Sequence, residues 1–209
     1  MSEYLSEEEQ VEALKKWWKE NGLSIFMGAV LGLGGVFGWK YWIEHRMEVA
    51  DQASYHFSQM QMAIQADNRE SATQQAEILT SEYASSSYGQ FAALYLAKAK
   101  VDADNPEAAR AELEKVINSG KDPSFQQIAR LRLARLLLDQ KDLDGAAAAI
   151  QPMPADQYAG EFEAVRGDIA LAKGNRDAAR NAYQQALEKG VGDTALVRMK
   201  LDDLSAETE

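Results

Sequence analysis

Gly32-Leu33-Gly34-Gly35 has the composition of a loop that could cradle phosphate, because glycine lets backbone N–H groups come close to an anion. A dinucleotide loop needs three glycines spaced G-x-G-x-x-G after a strand, with an acidic residue about 20 positions on. Gly32 and Gly34 fill the first two places, but Phe37 holds the third and no strand–helix alternation follows. Phosphate chemistry is excluded on both counts. The other reactive residue types are as sparse. His45 and His56 have no second histidine or carboxylate at ligand spacing and read as exposed helix-surface residues. With no cysteine there is no thiolate nucleophile, disulfide or Cys-based zinc site. No HExxH and no His-centred nucleophilic group occurs. Acidic runs such as Asp202-Asp203 and Glu7-Glu8-Glu9 read as solvated surface. The chain is therefore expected to be no enzyme, with no catalytic residue, metal or cofactor.

The glycines belong to an element of another kind. From Leu23 to Trp39 there is no charged residue, and Tyr41-Trp42-Ile43 follow Lys40. An α-helix needs about 20 such positions to cross about 30 Å of hydrocarbon. All four tryptophans, Trp17, Trp18, Trp39 and Trp42, bracket this run. Trp18 to Trp39 spans about 31 Å at the helical rise, the separation of two interfacial aromatic belts. Five glycines, Gly28, Gly32, Gly34, Gly35 and Gly38, would cost a soluble helix about 1 kcal/mol each relative to alanine. In a membrane they let helices approach closely. Gly28, Gly32 and Gly35 share one face, while Gly34 and Gly38 form a second, so both are candidate surfaces for packing on other transmembrane helices.

Bulky Trp-Lys-Tyr-Trp after the apolar run, where a cleavage site would need small residues, marks an anchor that stays attached. Lys15, Lys16 and Lys19 precede it and Lys40 and Arg46 follow, a three-to-two excess that favours a cytoplasmic N-terminus. Ser6-Glu7-Glu8-Glu9 forms a capping box, with Val11, Leu14 and Trp18 at helical spacing behind it, so a short interfacial helix is expected in the tail. The expected divisions are a tail at 1–22, a span at 23–43 and a soluble part at 44–209.

That soluble part is acidic, as is the whole chain, with 22 basic against 33 acidic residues and a net charge of -11. Nucleic acid is an unfavourable partner for such a surface. Breakers at Asn68, Ser85-Ser86-Ser87, Asn105-Pro106, Gly120 with Pro123, Pro152 with Pro154, Gly174 and Gly190 divide it. They predict helices near 44–67, 69–83, 87–103, 106–118, 124–140, 143–150, 156–173, 176–189 and 193–205. No useful β alternation is present, so the class is all-α.

Residues 167–187 resemble a tetratricopeptide repeat. Counting from Gly167, small residues stand at offsets 0, 12 and 19, glycine at 7 and an aromatic at 16. Small residues at 0 and 12 let two antiparallel helices cross closely, and the bulky residue at 16 packs onto the neighbouring pair. The same offsets from Ala134 reach Ala146 and Ile150, and from Ala97 they reach Ala109, Leu113 and Val116. These copies are degenerate, with Lys141 and Asp104 at the glycine position and Met153 at the last small one. The helices over 44–83, with Ala63, Ala76, Leu79 and Tyr83, make at best a fourth, atypical pair. A plain bundle of alanine-rich helices would share some of this spacing. Eight apolar residues in eleven from Ile128 to Leu138 nevertheless mark a helix covered on both sides, as in a repeat superhelix.

Repeat arrays bind through the concave face lined by the first helix of each pair. Those positions are Phe91, Leu94, Lys98 and Val101, then Ile128, Leu131, Arg135 and Leu138, then Glu161, Ala164, Asp168 and Leu171. Such a mixed apolar and charged groove suits a peptide or helix from another protein. The same positions could also serve as core.

Gln10-Val11-Glu12-Ala13-Leu14-Lys15, Asn21-Gly22, the span closing in Gly38-Trp39-Lys40-Tyr41-Trp42, and a repeat domain with Leu131-Arg132-Leu133-Ala134-Arg135 and Arg166-Gly167-Asp168 together resemble the YfgM family. Its members are ancillary SecYEG translocon subunits of Gram-negative bacteria. The resemblance covers the full length. It implies a single-pass protein of the inner membrane, N-terminus cytoplasmic and repeat domain periplasmic. It also implies partnership with the SecYEG translocon and the membrane-anchored chaperone PpiD, and through them with exported polypeptides. No catalytic residue comes with it.

Overall fold

The computed structural model describes residues 7–119, 122–151 and 157–206. Over these residues the chain forms α1 (Glu7–Gln65), α2 (Arg69–Glu82), α3 (Ser87–Asp102), α4 (Pro106–Ser119), α5 (Pro123–Asp139), α6 (Leu143–Ala149), α7 (Ala159–Ala172), α8 (Arg176–Lys189) and α9 (Thr194–Ala206). Ser6 of the capping box, the breakers Gly120, Pro152 and Pro154, and Met153 lie outside the described residues. The chain divides into two units, Met1–Asp51 and Gln52–Glu209.

In the first unit the tail helix, the span and the start of the 44–67 helix expected from sequence are one continuous α-helix. Asn21-Gly22 does not break it. The Asn21 side-chain amide donates to the Trp17 carbonyl at 3.0 Å, and Gly22 backs onto the Trp18 indole. Among the described residues this is the one helix long and apolar enough to cross a membrane. Its large side chains, Leu23, Phe26, Leu31, Val36 and Phe37 among them, are exposed, and a Cβ added at any of the five span glycines would meet nothing within 4 Å. The Trp39 and Trp42 rings lie 5.2 Å apart, tilted by 33°, near the end of the apolar run, and the Arg46 guanidinium lies 4.7 Å from the Trp42 ring.

The second unit is built on one turn used four times. Asp67, Asp104, Lys141 and Gly174 each adopt a positive φ, from 51° to 78°. Each donates its N–H to the carbonyl three residues back, and the next residue donates to the carbonyl five back, at 2.9–3.1 Å. That next residue is Asn68, Asn105, Asp142 or Asn175. Its side chain accepts the N–H of the third residue on, capping α2, α4, α6 and α8. One dipeptide thus closes a helix and opens the next, satisfying end groups that would otherwise lack partners. The left-handed conformation costs an L-residue about 1–2 kcal/mol, and glycine escapes this at the expense of a more flexible unfolded chain. Lys141 is exposed and binds nothing else at the turn. Lys141→Gly is therefore expected to raise stability by about 0.5–1 kcal/mol, seen as a higher urea midpoint.

Counting back seven residues from each turn aligns four helix pairs, one more regular pair than the sequence suggests. Offset 0 holds Met60, Ala97, Ala134 and Gly167, and offset 12 holds Ala72, Ala109, Ala146 and Ala179, all buried. Offset 16 holds Ala76, Leu113, Ile150 and Tyr183, each buried as well. Bulk at the two positions is exchanged along the array. As offset 0 shrinks from methionine through alanine to glycine, offset 16 grows from alanine through leucine and isoleucine to tyrosine. The first pair keeps the register and the turn with its large residue on the opposite helix, so it is a fourth pair, atypical in where its bulk lies.

Among the described residues three apolar clusters hold the pairs together. Ala53, Met60 and Ala63 of α1 pack with α2 and with Ala92 and Leu96 of α3. The largest cluster runs from α3 to α7 and contains Leu131, Leu133, Leu136 and Leu137 of α5, which contacts α3, α4, α6 and α7. The third joins Ala164 of α7 to Tyr183 of α8 and to Val197 and Leu204 of α9. Arg176 and Arg180 donate to the Leu204 carbonyl and cap the end of α9. His56 is not the exposed surface residue expected. Its Nδ1 lies 2.8 Å from Gln75 Oε1, and its ring packs 5.9 Å from Tyr83, tying α1 to α2.

Candidate functional site

The twelve inner-helix positions separate by what each side chain meets. Leu94, Leu131 and Ala164, at the same register of α3, α5 and α7, are buried in the core. Ile128 and Leu138 are half-buried against it. Along α7 the polar positions serve the fold. Asp168 accepts the Tyr183 hydroxyl at 2.7 Å and the Lys200 ammonium at 2.6 Å, and Glu161 accepts the Gly192 N–H at 3.0 Å. These residues hold α8 and the turn before α9 instead of facing a groove.

Phe91, Lys98, Val101, Arg135 and Leu171 stay exposed. Phe91 meets Phe57 edge-on at 5.2 Å, and Phe57 in turn packs on Tyr88. Lys98, Val101 and Arg135 converge on a cavity of about 510 Å3 between α3 and α5. Sequence reasoning missed its other lining residues, Ala97, Leu113, Arg132, Leu136 and Asp139. The signal was there: Arg132, Arg135 and Asp139 stand at i, i+3 and i+7 and so lie on one face of α5. Lys98 also borders a second cavity of about 350 Å3 with Ile64, Asp67, Arg69 and Tyr95. Lys98 is the residue the two cavities share.

The α3–α5 cavity has an apolar floor and a basic rim. Arg132 donates to the Leu94 carbonyl at 3.0 Å, which fixes its guanidinium across the gap between the two helices. Burial first, and the neighbouring Arg135 charge second, push Arg132 below the usual arginine range. Lys98 is paired with Asp102 at 2.6 Å. Such a surface can hold an apolar side chain while offering planar, multi-donor hydrogen bonding to an anion. Among the described residues no group of three or more histidine, aspartate or glutamate side chains is placed to hold a metal ion.

A family profile described as "Tetratricopeptide repeat-like domain" matches residues 15–206, which takes in the membrane-length helix as well as the repeats. Curated relatives align over almost the whole chain. Proteins of Haemophilus influenzae and Aggregatibacter actinomycetemcomitans, each named "Ancillary SecYEG translocon subunit", are 30% identical over 205 residues, 98% of this chain and 100% of theirs. A protein of the same name from Escherichia coli strain K12 is 30% identical over 207 residues, again covering its full length. No solved structure matches significantly. An apolar membrane-length helix, four repeat pairs in one register and this end-to-end likeness converge: the chain belongs to the YfgM family of membrane-anchored, tetratricopeptide-like ancillary SecYEG translocon subunits.

Proposed function

We propose that this protein is a non-enzymatic companion of the Sec translocon that holds periplasmic chaperones beside it. Residues 1–22 lie in the cytoplasm, 23–43 cross the inner membrane and 44–209 form a periplasmic repeat domain. The observation that carries this reading is the likeness to named translocon subunits over 98% of the chain, anchor included. The glycine faces Gly28-Gly32-Gly35 and Gly34-Gly38 suit close packing on translocon helices. The inner face around Phe91, Lys98, Val101 and Arg135 offers a groove to PpiD or to an emerging exported polypeptide. Nothing in this role requires a cofactor, and membrane lipid is the remaining contact of the anchor.

A photoreactive amino acid at Val101, which is 48% exposed, tests the groove in native membranes. Adducts with PpiD or with exported chains are expected on irradiation. Adducts only with proteins of an unrelated envelope complex would replace the translocon reading with that of a tethered adaptor elsewhere.

A further inference from the structure

We infer that the cavity between α3 and α5 recognises a partner polypeptide segment presenting a carboxylate next to an aliphatic side chain. The inference rests on the reading of the inner face as partner-binding and adds the chemistry of the segment. Arg69, Arg110, Arg166 and Arg180 each lie within ion-pair distance of a carboxylate, whereas among the described residues Arg46, Arg130, Arg132 and Arg198 do not. Among the described residues Arg135 has none, although Asp139 lies one turn away on the same wall and the chain as a whole carries a net charge of -11. Asp102, the nearest acid on α3, is held by Lys98 at 2.6 Å.

Two guanidiniums three residues apart repel each other, and Arg132 cannot swing away without losing its bond to the Leu94 carbonyl at 3.0 Å. An incoming carboxylate would relieve that repulsion and satisfy both groups with charge-assisted bonds. The floor supplies the second half of the specificity. Val101, 48% exposed, is the open part of the floor above the buried Ala97, Leu113 and Leu136, so an ion alone would leave it wetted, whereas an adjoining leucine or isoleucine would cover it. A volume of about 510 Å3 is in the range of ligand-sized clefts.

The test uses the full chain in detergent on an array of ten-residue Gly/Ser peptides. Their two central positions carry Leu, Phe or Ser followed by Asp, Glu, Asn, Gln or Lys. Peptides with Leu-Asp and Leu-Glu should retain at least ten times more protein than those with Leu-Asn, Leu-Gln or Ser-Asp. Arg135→Gln should remove that difference while leaving the melting temperature unchanged, and Arg135→Lys should restore part of it. Retention of no class above background, equal retention of acid and amide peptides, or full binding by Arg135→Gln would each overturn the inference. Recovery of the translocon from membranes separates it from the broader reading. If the translocon is recovered but acids are not preferred, the cavity chemistry is wrong. If acids are preferred through Arg135 and no Sec component is recovered, the proposed function is wrong and the site stands.

Discussion

Tyr183→Ala is expected to cost the repeat domain about 3–5 kcal/mol, a large part of the 5–15 kcal/mol that holds a typical domain folded. Tyr183 is fully buried, and its ring lies where a side chain on Gly167 would stand, since a Cβ there would collide with the ring. Glycine cannot expand into the vacated volume. The hydroxyl bond to Asp168 is lost too, which leaves Lys200 as the only one of its two ligands. Urea denaturation of residues 44–209 measures the loss. Gly167→Met combined with Tyr183→Ala rebuilds the Met60–Ala76 arrangement of the first pair, so the double variant should lose clearly less than the sum of the two single ones. Strict additivity would show that the exchange of bulk between offsets 0 and 16 carries no energetic meaning.

The same residue gives the domain an alkaline signature. Burial first, then the hydrogen bond to Asp168 and its negative charge, push the Tyr183 hydroxyl far above the usual tyrosine range. Below about pH 10 both folded and unfolded chains keep the proton. Above that the unfolded chain releases it while the folded one does not, so stability falls as pH rises. Tyr183→Phe should flatten that decline.

Gly89→Ala is expected to cost about 2–3 kcal/mol, in the range of overpacked sites. A Cβ at Gly89 would lie far inside van der Waals contact with the Tyr83 carbonyl oxygen and 2.9 Å from Ala84 Cα, both backbone atoms. The turn has no slack to yield. The Ser86 N–H and hydroxyl both donate to the Tyr83 carbonyl, at 2.9 and 2.7 Å, and the Gly89 N–H donates to the Ser86 hydroxyl at 3.0 Å. Moving Tyr83 away would break the cap that starts α3. An unchanged denaturation midpoint for this variant would show that the α2–α3 turn is more pliant than these bonds imply.

The anchor and the last repeat were legible because their signals are local: a charge-free run between tryptophans, and a glycine turn with small residues at fixed spacing. The first pair was not. Its large residue, Met60, sits at a position where the pattern calls for a small one, and Asp67 takes the left-handed turn without glycine. The dipeptides Asp67-Asn68, Asp104-Asn105, Lys141-Asp142 and Gly174-Asn175 are the shared mark, visible in the sequence once the role of the second residue as a cap is known. Of the expected groove, Lys98, Val101 and Arg135 come together in one cavity. Leu94, Leu131 and Ala164 fall inside because helical spacing alone cannot separate a concave face from the layer beneath it. Asp168 and Glu161 are claimed by α8 and the α9 turn, contacts between helices that only the fold supplies.

In the proposed arrangement the anchor docks on the translocon while the repeat domain presents partners to it. Affinity purification of the full chain from gently solubilised membranes, beside a variant in which Gly28, Gly32 and Gly35 are all leucine, puts this arrangement to the test. The wild-type chain should bring down SecY and PpiD together, and the triple variant should lose most of the SecY while its repeat domain stays folded. Absence of SecY from the wild-type sample, or equal SecY recovery by the triple variant, would contradict that arrangement.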